Sequence, residues 1–183
     1  TIKSSFFIQR VQHHKCSHSY FRKNARNMVN ELSDLFRYQL KASKEEMVLL
    51  SEEIDFVQKY LDLEKERFGE RLQYHIYIDE NSQEIVVPPL IIQPLVENSV
   101  KHGISPLIEG GKITVTTNVN SNELQITVCD TGKGIQGQKK SALLQKGIGL
   151  SNTNARLLKM YGKGLHIEEN DNGFCISLSI TKH

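Results

Sequence analysis

Apolar residues in the first part of the chain repeat at the spacing of a helix. Leu32, Leu35, Phe36 and Leu40 would share one side of a helix, because residues three and four positions apart are neighbours on its surface. Residues 1–87 contain no proline and a single glycine, a composition that long helices tolerate. The pattern therefore predicts a helical N-terminal region.

A second helix of this region is predicted between a serine and a glycine. Ser51 is the predicted N-cap, since its hydroxyl can accept a free N–H of the first turn. The acidic residues that follow it, Glu52 and Glu53, favour the positive end of a helix. Gly69 is the predicted stop, so the helix should end at about Phe68.

From residue 72 onward the apolar residues alternate with polar ones, which is the period of a half-buried strand. Two pairs of alternating stretches flank polar turns and so predict antiparallel hairpins. With helices covering one face of the sheet, the predicted fold class is α+β. The alternating stretches are residues 72–79, 112–119, 124–128, 166–169 and 174–180, and the helical stretches between them are 90–102 and 151–161.

The composition excludes several classes of protein. The formal net charge of +2 is too small to indicate nucleic-acid binding, and the absence of tryptophan argues against base stacking. We therefore expect no nucleic-acid partner. The richest apolar stretch, residues 85–96, is too short and too rich in proline to span a bilayer. Contact with a membrane is expected only through a region upstream of this chain.

The three cysteines, Cys16, Cys129 and Cys175, are far apart in the sequence. They form neither a Cys-x-x-Cys pair nor a zinc-ligand spacing. We therefore expect neither a disulfide framework nor a structural zinc site, and a reducing, intracellular setting fits this pattern best.

Residues 97–103, Glu-Asn-Ser-Val-Lys-His-Gly, are the first of three segments with candidate chemistry. On a helix, Asn98, Lys101 and His102 lie on neighbouring turns. An amide oxygen and two cationic side chains can hold a Mg²⁺-phosphate group. The alternative is a solvated helix end, whose cations stabilise the helix dipole.

The other two segments are rich in glycine. Asp130 precedes a Gly-x-Gly turn, where its carboxylate can accept a hydrogen bond from an adenine amino group; the alternative is a plain strand-ending turn. In the third segment, Gly147-Ile148-Gly149 precedes a predicted helix. The free N–H groups at a helix start favour phosphate.

In this order, the three segments resemble the N, G1 and G2 boxes of the GHKL ATPase superfamily, which includes gyrase, MutL and the histidine kinases. More narrowly, residues 88–103, 32–38 and 60–68 resemble segments of LytS-type sensor histidine kinases. The resemblance implies a two-layer α/β sandwich with a mixed, largely antiparallel sheet. It also implies a helical phosphoacceptor and dimerisation-like region over residues 1–70 and an ATPase domain over residues 71–183.

The resemblance implies a role for each site residue. Asp130 would bind adenine, Asn98 would bind Mg²⁺, and Lys101 and His102 would face the phosphates of ATP. Glu97 would activate or orient the acceptor. A lid over residues 136–146 would close over the phosphates. The further ATP-binding residues that the resemblance implies are Gly132, Gly134, Ile135, Gly147, Gly149, Leu150 and Ser151.

The N-terminus departs from the family pattern. The family carries Asn-Pro-His-Phe-Leu-Phe-Asn before its Arg-Tyr segment, and an ungapped count places Ser5 where its phosphoacceptor histidine stands. His13, His14 and His18 are the alternative acceptors.

The sequence thus supports two hypotheses. The first is the cytoplasmic region of a homodimeric sensor histidine kinase anchored in the inner membrane. It would use ATP and Mg²⁺ to phosphorylate a histidine and then a response regulator. The alternative is a nucleotide-binding module that lacks the acceptor.

Overall fold

The computed structural model of the protein describes residues 29–30, 32–134, 148–170 and 173–182. In the N-terminal part, residues 32–42 form helix α1 and Leu50–Phe68 form helix α2, which confirms the two predicted helices. None of the helices in the described part of the chain combines the length and apolar composition needed to cross a bilayer.

The two ends of α2 differ in how well the sequence predicts them. The predicted end is confirmed, because Gly69 follows with φ +59°, a conformation that glycine adopts without steric cost. The predicted N-cap at Ser51 is wrong, because the N-cap is Leu49. Its backbone N–H donates to Glu52 Oε2 at 3.3 Å.

The earlier start of α2 follows from a short strand. Val48–Leu49 (β1) pairs antiparallel with Val86–Val87 (β3). The next backbone N–H, that of Leu50, donates to the carbonyl of Ile85 at 2.8 Å. This long-range pairing therefore holds the backbone in an extended conformation up to Leu49, and the helix begins at the next residue.

A five-stranded mixed sheet has the order β2-β4-β5-β7-β6. Strands β2 and β4 are parallel, and the remaining neighbours are antiparallel. Both predicted hairpins, β4 with β5 and β6 with β7, are confirmed. The strands are β2 Leu72–Tyr77, β4 Gly111–Val119, β5 Glu123–Asp130, β6 His166–Asn170 and β7 Gly173–Thr181.

Helices pack on the sheet through one continuous core. Helix α3, Gln93–Asn98, continues into a π-helical turn, Ser99–Ile104, and helix α4 spans Ile148–Tyr161. Alternate residues of β5 are buried, as expected for a strand with one covered face. The buried side chains that meet in this core include Val57, Leu61, Leu95, Leu157, Ile126, Val128 and Ile176.

The core also includes the buried face of α2. Helix α2 lies within residues 1–70, so the predicted helical region is packed in part against the predicted ATPase domain. The division of the chain after residue 70 stays a prediction.

A disulfide joins Cys129 and Cys175, so the expectation of no disulfide is wrong for this pair. The two residues are 46 positions apart in the sequence. The antiparallel register of β5 and β7 nevertheless places them directly opposite each other, with a Cα–Cα distance of 4.1 Å. Spacing in the sequence does not reveal strand register. Cys16 lies outside the described residues.

Candidate nucleotide site

The first and second glycine-containing segments meet at Asp130. This residue ends β5 and is only 4% exposed, and its Oδ1 accepts the backbone N–H of Gly132 at 2.9 Å. A Cβ atom on Gly103 would lie 2.4 Å from Asp130 Oδ1, and one on Gly132 would lie 2.3 Å from the Cα of Gly103. A side chain at position 132 would therefore meet the backbone of Gly103, and one at position 103 would displace the Asp130 carboxylate.

A buried hydroxyl lies against the same carboxylate. Ser99 is fully buried one helical turn before Gly103, and its Oγ has no partner with hydrogen-bond geometry among the described residues. Burial raises the pKa of Asp130, while Ser99 and the Gly132 N–H favour the charged form and offset part of that rise. A carboxylate acceptor, a neighbouring hydroxyl and a glycine-lined approach are suited to the polar edge of a purine.

The polar side of the first segment is open to solvent. Asn98 is half-buried, and Lys101 and His102 are exposed. The opposite side is apolar and buried through Ile91 and Leu95. The three candidate phosphate and metal contacts therefore lie at the end of α3 and in its π-helical turn. Such turns are rare and often occur at functional sites.

The third segment packs beside the first. Gly149 lies in the first turn described for α4, and a Cβ atom there would be 3.4 Å from the Cβ of Pro94 at the start of α3. Leu150 is buried and Ser151 is half-buried. The predicted helix start at Ser151 is wrong, because the chain is already helical at Ile148.

Some predicted site residues fall outside the described part of the chain. These are Ile135, Gly147, the predicted lid over residues 136–146, and the acceptor position Ser5 with the alternative histidines. Gly134 is described, with φ +63°. A Cβ atom on Gly134 would lie 2.3 Å from Glu169 Oε1 on β6, so this turn also requires glycine.

Glu97 is exposed and accepts a hydrogen bond from Gln93 Nε2. A second carboxylate, Glu64, comes from α2. Burial raises the pKa of Glu64, Arg67 offsets part of that rise, and the charge on Glu97 adds a smaller increase. The nearby Tyr60 also has a raised pKa, because its ring is partly buried and the charges of Glu64 and then Glu97 act on it. The end of α2 therefore brings an acidic and phenolic cluster to the edge of the candidate site.

Sequence reasoning missed Glu64. The available signal was its position, since residues 57, 61 and 64 share one face of α2 and the first two are apolar. A charged residue on a buried face needs a partner. Here Arg67 Nη2 lies 2.5 Å from Glu64 Oε2.

Comparison with known proteins identifies the family. A model of the histidine kinase-, DNA gyrase B- and HSP90-like ATPase family matches residues 88–183, more than half of the chain. The chain belongs to this ATPase family. A further family model, described as histidine kinase, matches residues 13–72 of this ATPase. The matched range begins after the predicted acceptor position, Ser5.

Two relatives confirm the narrower resemblance to LytS-type histidine kinases. The sensor protein LytS of Staphylococcus haemolyticus is 33% identical over 169 residues, covering 87% of this chain and 29% of that protein. The sensor histidine kinase YpdA of Escherichia coli is 34% identical over 161 residues, covering 85% of this chain and 28% of that protein. The ATPase chain thus spans less than a third of the length of these two relatives.

Solved structures confirm the predicted fold. The catalytic domain of histidine kinase ThkA matches with a TM-score of 0.61 at 20% identity, over 74% of this chain and 95% of that one. ThkA in complex with the response regulator protein TrrA matches with a TM-score of 0.56 at 20% identity, over 86% and 49% of the two chains.

Proposed function

We propose that this chain is the catalytic region of a sensor histidine kinase. It binds Mg²⁺-ATP, transfers the γ-phosphoryl group to a histidine, and supplies that group to a response regulator. The observation that carries the proposal is the packing of Gly103 and Gly132 around the buried Asp130 carboxylate. This packing joins the first two candidate segments at one place, as a nucleotide site requires.

Asp130 would bind the adenine ring. A carboxylate has about four acceptor positions, of which the Gly132 N–H occupies one. The exocyclic amino group of adenine can use another, and the Ser99 hydroxyl beside the carboxylate can contact a ring nitrogen. Gly134 and Ile135 would continue the wall of this pocket.

Asn98, Lys101 and His102 would bind the triphosphate end. The amide oxygen of Asn98 suits Mg²⁺, which takes few protein ligands when phosphate and water oxygens complete its shell. Bound Mg²⁺ would neutralise charge that develops on the phosphate oxygens. The exposed Lys101 and His102 can add positive charge. Gly149, Leu150 and Ser151 in the first turns of α4 would contact the phosphates, together with Gly147 of the same segment of the sequence.

Glu97 would orient the acceptor. Its side chain is exposed and held by Gln93, so it can receive an N–H of an incoming imidazole. The imidazole nitrogen attacks the γ-phosphorus, the bond to the bridging oxygen breaks, and ADP leaves. Hydrogen bonding of the second imidazole nitrogen to Glu97 would stabilise the positive charge formed on the ring.

A homodimer is the proposed assembly. The side chains of Leu32, Phe36 and Leu40 are 43–66% exposed and follow one face of α1. A second copy of this helix would bury them in a helix pair.

We also propose that the chain is the cytoplasmic part of a membrane-anchored sensor, which fits relatives that are named sensor proteins.

Labelling with γ-labelled ATP tests the proposed reaction. We expect acid-labile, Mg²⁺-dependent label on a histidine of the chain or of its Ser5→His variant. Nucleotide binding without acid-labile label in either protein would contradict the kinase. That result would favour the alternative hypothesis, a nucleotide-binding module without an acceptor. The histidine kinase match over residues 13–72 argues against this alternative.

A further inference from the structure

Glu53 is a fully buried carboxylate that joins separate parts of the molecule. It lies in the first turn of α2, where the sequence indicates only a favourable contact with the helix dipole. Its Oε1 accepts the backbone N–H of Leu90 at 2.7 Å. Its Oε2 accepts those of Ile91 at 2.9 Å and Ile92 at 3.3 Å.

Those three N–H groups belong to the turn that begins the helix carrying Asn98. The turn has an unusual backbone, because Leu90 has φ +55°, a conformation that a non-glycine residue adopts at a steric cost. It directly precedes α3 at Gln93. The hydrogen bonds that these N–H groups donate to Glu53 hold this turn in place and so set where α3 begins.

A fourth hydrogen bond links the same carboxylate to α1. The hydroxyl of Tyr38 donates to Glu53 Oε1 at 2.6 Å, and the Tyr38 ring stacks on Phe56 of α2 with centroids 4.6 Å apart. Burial raises the pKa of Tyr38, and Glu53 raises it further. The hydroxyl therefore stays protonated and remains a donor at neutral pH.

Helix α4 faces the same group. Burial lowers the pKa of Arg156 on α4, and the charge of Glu53 acts in the opposite direction. Helix α1 and the turn that leads into the first segment thus meet at one carboxylate, and its charge also acts on Arg156 of α4.

We propose that Glu53 is a positioning residue that ties α1, through Tyr38, to the turn at residues 90–92 and thereby holds the Asn98 end of α3 in register with the nucleotide. Because α3 is short and continues directly to Asn98, a shift at its start moves Asn98. Asp130 lies on β5 and is held by the sheet. Loss of Glu53 should therefore affect the metal and phosphate end more than the adenine end.

Two measurements test this inference, and only the second rests on the proposed function. Hydrogen exchange at the amides of Leu90 and Ile91 reports on the turn itself. In Tyr38→Phe, which removes one hydroxyl, we expect these amides to exchange roughly fivefold faster, the change expected for losing one hydrogen bond. Tyr74→Phe is the matched control, because the Tyr74 hydroxyl donates to Asp62 of the same helix, away from the turn.

The second measurement compares nucleotide affinities of Glu53→Gln with and without Mg²⁺. We expect the affinity for a Mg²⁺-bound ATP analogue to fall about tenfold, the equivalent of about 1.4 kcal/mol, and the affinity for the metal-free analogue to fall less than about twofold. A purely structural role would lower both equally, and that result would overturn the inference.

The outcomes separate the inference from the proposed function. If the wild type binds no nucleotide, the proposed function fails, and the exchange measurement alone decides the inference. If the Glu53→Gln variant does not fold, the hydrogen-exchange measurement on Tyr38→Phe decides the inference instead. Unchanged exchange at residues 90 and 91 in Tyr38→Phe, or an equal change in Tyr74→Phe, would overturn the link from α1.

Discussion

Gly103 packs directly against the carboxylate of Asp130, so that a methyl group on Gly103 would lie 2.4 Å from Oδ1. Gly103 ends the segment that carries Asn98, and Asp130 begins the Gly-x-Gly turn. The contact therefore fixes the distance between the proposed metal-binding and adenine-binding ends of the site. Its closeness explains why a residue without a side chain occupies position 103.

We predict that Gly103→Ala lowers the affinity for a Mg²⁺-ATP analogue about tenfold or more, because the methyl group must displace the carboxylate that would bind adenine. Calorimetry measures the change. Gly164→Ala is the matched control, since its methyl group would also lie 2.4 Å from a side-chain oxygen, that of Asn154, which is outside the three segments. Equal losses in the two variants would mean that the effect is general destabilisation.

Asn98→Ala should weaken binding of the Mg²⁺-bound analogue more than binding of the metal-free one, because the amide oxygen is proposed as a metal ligand. The ratio of the two affinities should fall roughly tenfold, as expected for a lost interaction of about 1.4 kcal/mol. Asn118→Ala, at an exposed position of β4, provides the control. Equal losses with and without metal would show that Asn98 is structural.

The chain should form a homodimer through α1. Phe36→Glu, at a side chain that is 57% exposed, should weaken association in sedimentation experiments by about tenfold or more, because it places a charge in an apolar interface. Leu158→Glu is the control, since Leu158 on α4 is also exposed, at 49%. A wild type that stays monomeric over a broad concentration range would contradict the proposed dimer.

The acceptor prediction concerns Ser5. With serine at position 5, the chain should bind ATP but show little acid-labile label, because a serine hydroxyl needs stronger activation than a neutral imidazole nitrogen. Ser5→His should increase that label by an order of magnitude or more, since proximity helps only when a competent nucleophile is present. Wild-type label that disappears in His13→Ala, His14→Ala or His18→Ala would instead identify that histidine as the acceptor.

Local patterns predicted most of the fold, because periodicity and turn residues report directly on helices and hairpins. What they missed depends on contacts between distant residues. The pairing of β1 with β3 moves the start of α2 to Leu50, and the register of β5 with β7 brings Cys129 to Cys175.

The same limit applies to the candidate site. The motifs identified Asn98 and Asp130, yet the packing of Gly103 on Asp130 follows from tertiary structure. Glu53 was interpreted as a helix-dipole residue because its position in the first turn is a local feature. Its four hydrogen-bond partners lie 15 to 39 residues away, beyond what helical spacing reveals.

Asp130→Asn should lose nucleotide binding while the protein stays folded. Burial raises the pKa of Asp130 above its ordinary value of 3.8, so the folded state holds the proton more tightly than the unfolded state. The contribution of Asp130 to stability therefore falls as pH rises from its ordinary pKa through its raised pKa in the folded state. An asparagine at this position does not titrate and has no such dependence. In thermal unfolding, the free energy of unfolding of the variant minus that of the wild type should therefore be larger (more positive) at pH 7 than at pH 3.

The most direct test of the nucleotide site is calorimetric titration of the wild type and Asp130→Asn with a Mg²⁺-bound, non-hydrolysable ATP analogue at neutral pH. A hydrogen bond to a charged acceptor contributes about 1.5 to 3 kcal/mol. We therefore predict one binding site in the wild type and an affinity lower by roughly tenfold or more in the folded variant. Equal affinity in the two proteins would contradict the assignment of Asp130 and the site built around it.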